Sequence, residues 1–374
     1  MEELAGIYIH VPFCRGKCPY CDFYSVARWD DSVLDRYVAA VIAALERGRQ
    51  CYAPVAADTL YFGGGTPTLL GGGRIVRVIE TVRRLYRLDG AEITIEANPG
   101  EDSSELLREF AAAGGNRLSV GMQSHDDEML RQLGRRHSHA DSLELCRAAR
   151  TAGIENISVD IMLGLERQDM DDVTQSISAA EQAGASHLSA YLLKVEEGTP
   201  FFDRYAGTEL LPDDDRQSEL YLGACNAAES LGFRQYEISN FAIPGMEGRH
   251  NTKYWCAVPT IGVGASSHSF VNGRRMCYPR DLDRFMEGME PIDDEDAFPA
   301  AGSLGEYIML RLRLRDGVDE AEFVARFGMA IPDEYRRRAA ALPRALVQCD
   351  SHGIRLTREG FLLSNPLTAR IILE

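Results

Sequence analysis

Six short apolar runs, each followed by a stretch with helical spacing, fill the first 230 or so residues, and this rhythm constrains the fold more than any other feature. The runs 7–11, 59–62, 93–97, 117–122, 157–162 and 187–192 are rich in Ile, Val and Tyr, as strands are. The intervening stretches, 31–47 and 171–183 for example, carry apolar residues at helical spacing, and several open on the Asp or Ser that caps a helix N-terminus. Strands alternating with helices pair in parallel through right-handed crossovers. The expected class is α/β, a partial (β/α)6 barrel. Six units close incompletely and leave an open side wall for a large substrate.

The rhythm breaks after about residue 232. Residues 233–298 hold Gly-rich and aromatic segments, including HNTKYW at 250–255 and GVGASSHSF at 262–270, which are expected to extend the sheet and cover the barrel mouth. The acidic 293–296, followed by Pro299, reads as a linker. Residues 299–374 turn helical, with CDSHGIRLT at 349–357 as a small hairpin before a final helix, the order of a winged-helix-like domain. Three units result: a core barrel at 1–232, a sheet extension and linker at 233–298, and a mainly helical domain at 299–374.

With 374 residues, 45% of them hydrophobic, the chain can bury one large core and a smaller one. Lys and Arg total 40 against 57 Asp and Glu, so the net charge of -17 repels phosphate backbones and anionic lipid. Nucleic acid is therefore not the expected partner, and the basic run Arg336, Arg337 and Arg338 reads as a solvated helix face. No apolar run approaches the roughly 20 residues of a membrane span, and residues 1–6 lack the order of a signal peptide. A cytoplasmic protein follows, not integral to a membrane, though an acceptor on a membrane stays open. Nine cysteines, three of them within eight residues, suit thiolate ligands in a reducing compartment better than a disulfide framework.

Those three, Cys14, Cys18 and Cys21 in CRGKCPYC, follow the first strand directly. Three thiolates hold three irons of a [4Fe-4S] cubane and leave the fourth without a protein ligand. The open iron is a docking site for the amino and carboxylate groups of S-adenosylmethionine (SAM), whose cleavage to a deoxyadenosyl radical is chemistry of the cofactor. A structural zinc site would need a second ligand pair at a fixed distance, and none stands near the loop. The turn FGGGTP at 62–67 follows the second strand, where glycines let the backbone approach the SAM ammonium. Glu96, Gln123 and Asp160 each end an apolar strand, where parallel βα folds place their sites.

The segments YIHVPFCRGKCPYCDF, FGGGTPT, IEANP, VGMQS, LGRRH and VDIMLGL, in this order and spacing, resemble the coproporphyrinogen III oxidase-like family of radical SAM proteins over nearly the whole chain. The resemblance implies that Cys14, Cys18 and Cys21 bind the cluster. It implies that Tyr8, Tyr20, Gly64, Gly65, Thr66, Glu96, Gln123, Arg135 and Asp160 hold SAM. Within the family, the chain looks like a heme-chaperone branch. Phe23 stands where the oxidase pattern has a further cysteine, Tyr8 almost begins the chain where the oxidase has an extension, HNTKYW matches the branch signature HNxxYW, and LRLRLRDGVD and LTREGFLLSN fit its closing domain. Thr260 and His125 depart from the branch pattern, at positions that bear on local packing.

The implied function is to bind heme and hand it to heme-accepting proteins. The alternative is an oxygen-independent coproporphyrinogen III oxidase using the radical. Heme needs an axial ligand, an apolar slot and cations for its propionates. His250 is the leading ligand candidate, with Tyr254 and Trp255 as slot walls and Arg249, Lys253, Arg274 and Arg275 as cations. The other reading of HNTKYW is an anchor of the sheet extension through buried hydrogen bonds. His10 reads as support for the cluster loop, His268 as a core residue, and Cys256 as a weaker soft ligand.

Overall fold

The structure, a computed structural model, describes residues 4–52, 56–294 and 298–373. Residues 1–3, and 295–297 of the acidic linker, lie outside the described residues. The six expected strands are present as β1 (Ala5–Val11), β2 (Ala57–Gly64), β3 (Glu92–Ala97), β4 (Arg117–Gln123), β5 (Asn156–Leu163) and β6 (His187–Leu192), paired in parallel in sequence order. The helix expected over 31–47 runs from Asp31 to Cys51, started by the Asp30 carboxylate, which accepts from the Val33 amide. Capping boxes at Ser138/Asp141 and Asp169/Asp172 start two further crossover helices.

Alternation along these strands builds two different faces. Ile7, Ile9, Leu60, Phe62, Ile93, Ile95, Leu118, Val120, Ile157 and Val159 are fully buried in the main core, against the helices. Truncating one of them to Ala costs about 2–5 kcal/mol. The alternate positions are polar: Tyr8, Tyr61, Glu96, Ser119 and Asp160 face the barrel interior. The register aligns Tyr8 with Tyr61, Glu96 with Ser119 and Asp160 with Ser189, so the interior groups stand in rows across the sheet.

The sheet extends at both edges. β7 (Arg234–Gln235) and β8 (Asn240–Ala242) continue it beyond β6, and β9 (Thr260–Val263), β10 (His268–Val271), β11 (Arg274–Cys277) and β12 (Ile292–Asp293) continue it beyond β1. β9 is parallel to β1, pairing Tyr8 with Gly262, and is a seventh parallel strand that the sequence rhythm does not announce. On its other side Gly262 admits β10 closely, since a Cβ there would lie 2.2 Å from the His268 carbonyl oxygen.

The C-terminal residues form helices around a three-stranded antiparallel sheet of β13 (Val318–Asp319), β14 (Val347–Asp350) and β15 (Gly353–Leu356), the last two making the expected hairpin. Arg311 ties this region to the barrel extension, donating to the Gly317 carbonyl and to the Cys256 thiol. No helix among the described residues is long and apolar enough to cross a membrane.

Candidate functional site

The cysteine loop leaves β1 at the C-terminal end of the barrel and is bound back onto it. Phe13 and Val26 pair across the loop, the Cys14 amide donating to the Val26 carbonyl and the Val26 amide to that of Pro12. The glycine turn after β2 zips onto the same segment: the Gly65 amide donates to Val11 and the Thr66 amide to Phe13. A Cβ on Gly65 would stand 2.5 Å from the Phe13 carbonyl oxygen, so glycine is required for this approach. On the far side, the Phe201 amide donates to the Pro19 carbonyl and fixes the Tyr20 segment.

The three cysteine side chains are half-buried and line one cavity of about 170 Å³ together with Tyr20, Gly64, Gly65, Thr66, Glu96, Gln123, Arg135 and Asp160. Eight of the nine residues expected at SAM therefore meet the cluster cysteines. Tyr8, the ninth, lines the adjoining larger cavity, which shares Tyr20, Cys21, Glu96 and Asp160 with the first. Among the described residues, no group of three His, Cys, Asp or Glu is placed to hold a metal ion.

Electrostatics at this mouth follow from burial. Glu96 accepts from the Tyr61 hydroxyl at 2.8 Å and the Gly64 amide at 3.1 Å, yet desolvation pushes its pKa up to about 7. Desolvation likewise raises Asp160 to about 6, against hydrogen bonds from Ser189 and Ser119. Gln123 ends β4 with φ of 68°, in the left-handed region, just past a register shift against β5, and its carbonyl accepts from Tyr191 at 2.7 Å. Arg135 lies against the Tyr20 ring, 5.8 Å from its centre, and donates to Asn98, while its Nε is buried without a partner.

An orphaned guanidinium N–H beside three thiols is a donor for the carboxylate of an amino acid, and the two buried carboxylates are acceptors for an ammonium and for ribose hydroxyls. The residues fit a [4Fe-4S] cluster on Cys14, Cys18 and Cys21 with SAM across the strand ends. Bound there, the pair supplies one-electron chemistry on SAM. Glu96, Gln123 and Asp160 stand where they would orient SAM, and Tyr20 would wall the cluster side.

The residues expected around heme are placed differently. His250 lies in the helix Arg249–Trp255, is 1% exposed, and uses both ring nitrogens: Nδ1 with Thr59 at 2.8 Å and Nε2 with Tyr254 at 2.9 Å. Its amide and that of Arg249 donate to Glu92. Burial, then Lys253 and Arg117, lower its pKa to about 3. The geometry is that of the anchor reading of HNTKYW, because iron ligation would leave Thr59 or Tyr254 unpaired inside the protein. The four cations are also committed elsewhere: Arg249 and Lys253 pair with Asp58, Arg274 with Asp293 and Arg275 with Glu306. Trp255 lies under the Arg313 guanidinium, 4.5 Å from its ring centre, and the Cys256 thiol accepts from Arg311.

Two residues that sequence reasoning misread or missed line the larger cavity, of about 810 Å³. His268 is exposed at its rim rather than in the core, and its ring has no hydrogen-bond partner among the described residues. His10, the other cavity imidazole, is 4% exposed and shares both nitrogens, with Tyr8 and with the Tyr24 carbonyl. Arg117 lines the same cavity from the start of β4 and is 3% exposed. Its signal was in the alternation: it is two residues from Ser119 and so shares its inward face.

Comparisons agree with this geometry. Residues 8–180 match the radical SAM superfamily and residues 303–363 the HemN C-terminal domain. A Bacillus subtilis protein named heme chaperone HemW is 32% identical over 97% of both chains, and a Mycobacterium tuberculosis protein of the same name is 35% identical over 98% of this chain and 94% of its own. Among solved structures, the coproporphyrinogen III oxidase HemN from Escherichia coli superimposes with a TM-score of 0.83 at 20% identity, covering 100% of this chain and 91% of that one, a likeness of fold. The superfamily implies a [4Fe-4S] cluster and SAM, which the cysteine loop and strand ends accommodate. On full-length identity above 30%, the chain belongs to the HemW branch of the radical SAM superfamily.

Proposed function

We propose that this chain is a heme chaperone: it binds heme in the barrel cavity beside the cluster and SAM, and passes it to heme-accepting proteins from the cytoplasm. The observation that carries the reading is the cavity of about 810 Å³, contiguous with the cluster pocket and open at the barrel mouth. A site of this size and mixed lining suits a drug-sized or larger ligand. The names of the curated relatives point to the same cargo.

For the axial ligand, His268 replaces His250. An imidazole can ligate iron only through a free nitrogen lone pair. Of the two histidines lining the cavity, His10 has both nitrogens engaged and His268 has neither. Phe23, exposed, offers apolar surface to the same cavity.

The test is anaerobic reconstitution followed by titration with heme and, separately, incubation with coproporphyrinogen III, SAM and a reductant. A saturable Soret change without porphyrin conversion is expected. Conversion of coproporphyrinogen III to protoporphyrinogen IX overturns the chaperone reading in favour of the oxidase.

A further inference from the structure

We propose that Arg117 is a carboxylate anchor at the inner end of the barrel cavity, holding one propionate of the bound tetrapyrrole. The identity of the tetrapyrrole rests on the heme reading above; the anchor itself rests on the geometry of one side chain.

Arg117 opens β4 on its inward face and lines the cavity while only 3% exposed. Its guanidinium makes no hydrogen bond and no ion pair among the described residues, and its Nε is buried without a partner. A buried charge without a hydrogen-bonded partner is costly, and only the through-space attraction of Glu96 and Asp160 offsets its desolvation. The carboxylates that might have neutralised it are committed. Glu92 accepts the amides of Arg249 and His250, Glu96 accepts from Tyr61 and Gly64, and Asp160 from Ser119.

The remaining neighbours carry no charge to offer. The Arg117 guanidinium approaches Gly248, where His187 and the Tyr236 hydroxyl also converge. His187 shares one nitrogen with Ser158 and the other with Tyr236, and burial with the Arg117 charge keeps it neutral, as it does His250. The fold has thus placed a cation in a large cavity where His187 and Tyr236 are paired with each other, and where the carboxylates it feels through space, Glu96 and Asp160, accept their hydrogen bonds from other groups. A planar guanidinium of this kind takes a carboxylate through two parallel N–H···O bonds. The phenol rings of Tyr8, Tyr61 and Tyr254, which line the same cavity, give the body of the ligand apolar surface. A molecule with an apolar body and a carboxylate arm matches this lining; a propionate on a porphyrin edge is such an arm. Binding is ionic, and no bond is made or broken.

The experiment compares ferric heme with its dimethyl ester, by Soret titration of the reconstituted protein, in the natural chain, Arg117→Gln and Arg117→Lys. Loss of a charged hydrogen-bonded pair weakens binding by about tenfold or more. The expected result is that the natural chain binds the ester about tenfold more weakly than heme, and that Arg117→Gln binds both at the ester's level. Arg117→Lys, which keeps the charge but not the fork, is expected to fall between them and serves if the Gln variant does not fold. Equal binding of heme and ester by the natural chain overturns the anchor and leaves the heme reading standing. So does a full ester penalty retained in Arg117→Gln, which assigns the discrimination to another cation such as Lys194 or Arg280 at the rim. Failure of both porphyrins to bind the natural chain overturns the heme reading itself and the propionate with it.

Discussion

The Thr66 hydroxyl donates to the Cys14 thiol, Oγ1 to Sγ 3.7 Å, so the glycine turn after β2 touches the first cluster ligand directly. Thr66 in turn accepts from Asn98, and Asn98 accepts from Arg135. Three residues that follow strand ends, Cys14, Thr66 and Asn98, and Arg135, which follows the helix Asp127–Gln132, form one chain of hydrogen bonds that reaches across the cavity to the Cys14 sulfur. Such a chain fixes the relative positions of loops that have no other reason to agree, and shared polarisation strengthens its members.

The cluster is expected to require all three thiolates, Cys14, Cys18 and Cys21. Reconstituted protein is expected to hold about four irons per chain. Cys18→Ala is expected to lose the visible absorption of the cluster; a variant that keeps full iron content and spectrum removes Cys18 from the ligand set.

Gly65→Ala is expected to disturb the site without touching any polar group in it. Its new Cβ meets a backbone carbonyl at 2.5 Å, which cannot rotate away as a side chain would, so the glycine turn must move off the cysteine loop. SAM affinity measured by calorimetry should fall by at least about tenfold, on the scale of one lost charged contact. Unchanged affinity would show that the close approach is not used.

Asp160→Ala removes a carboxylate that faces the same pocket, and the expected loss of SAM affinity is again roughly tenfold or more. Glu96 gives a pH signature. Its folded pKa, about 7, is above the ordinary carboxylate value, so its contribution to stability is complete below the unfolded value of about 4.3 and is lost as pH rises through about 7. In ligand-free protein, Glu96→Gln should therefore flatten the decline in urea midpoint between pH 5 and pH 8. A steeper decline in the variant contradicts the assignment.

His250 and His268 separate stability from heme binding. His250→Ala strips Thr59 and Tyr254 of their partner, at about 1–3 kcal/mol for each buried group left unsatisfied, and should lower the melting temperature while keeping the position of the Soret band. His268→Ala, at an exposed ring with no partner, should leave the melting temperature in place and shift the Soret band. The reverse pattern restores His250 as the iron ligand.

Much of the barrel was legible because each strand and helix carries its own local signal: apolar runs for β1 to β6, Asp and Ser caps for the helices. The cysteine loop and the strand-end polar groups were legible for the same reason, since a strand of known direction says where its last residue points. What stayed hidden depends on contacts distant in sequence. TIGV at 260–263 is too short to announce that it lies beside β1, and nothing near His250 in the chain tells that Thr59 takes its proton or lone pair. The cations near HNTKYW looked available for heme, yet Asp58, Asp293 and Glu306, two of them far away in sequence from the residues they hold, had already taken them.

The pairing of β1 with β9 sets an order of events during synthesis. One side of β1 finds β2 about fifty residues later, but its other side waits for Thr260–Val263, some 250 residues on. Contacts so far apart are made late, after the cost of closing a long loop. Until the ribosome has released that segment, β1 is an open edge with Cys14, Cys18 and Cys21 just beyond it. The loop that carries the thiols therefore hangs from a strand whose second edge is completed only when nearly three quarters of the chain has been made, while the walls of the cysteine cavity all come from residues 14–191, made well before.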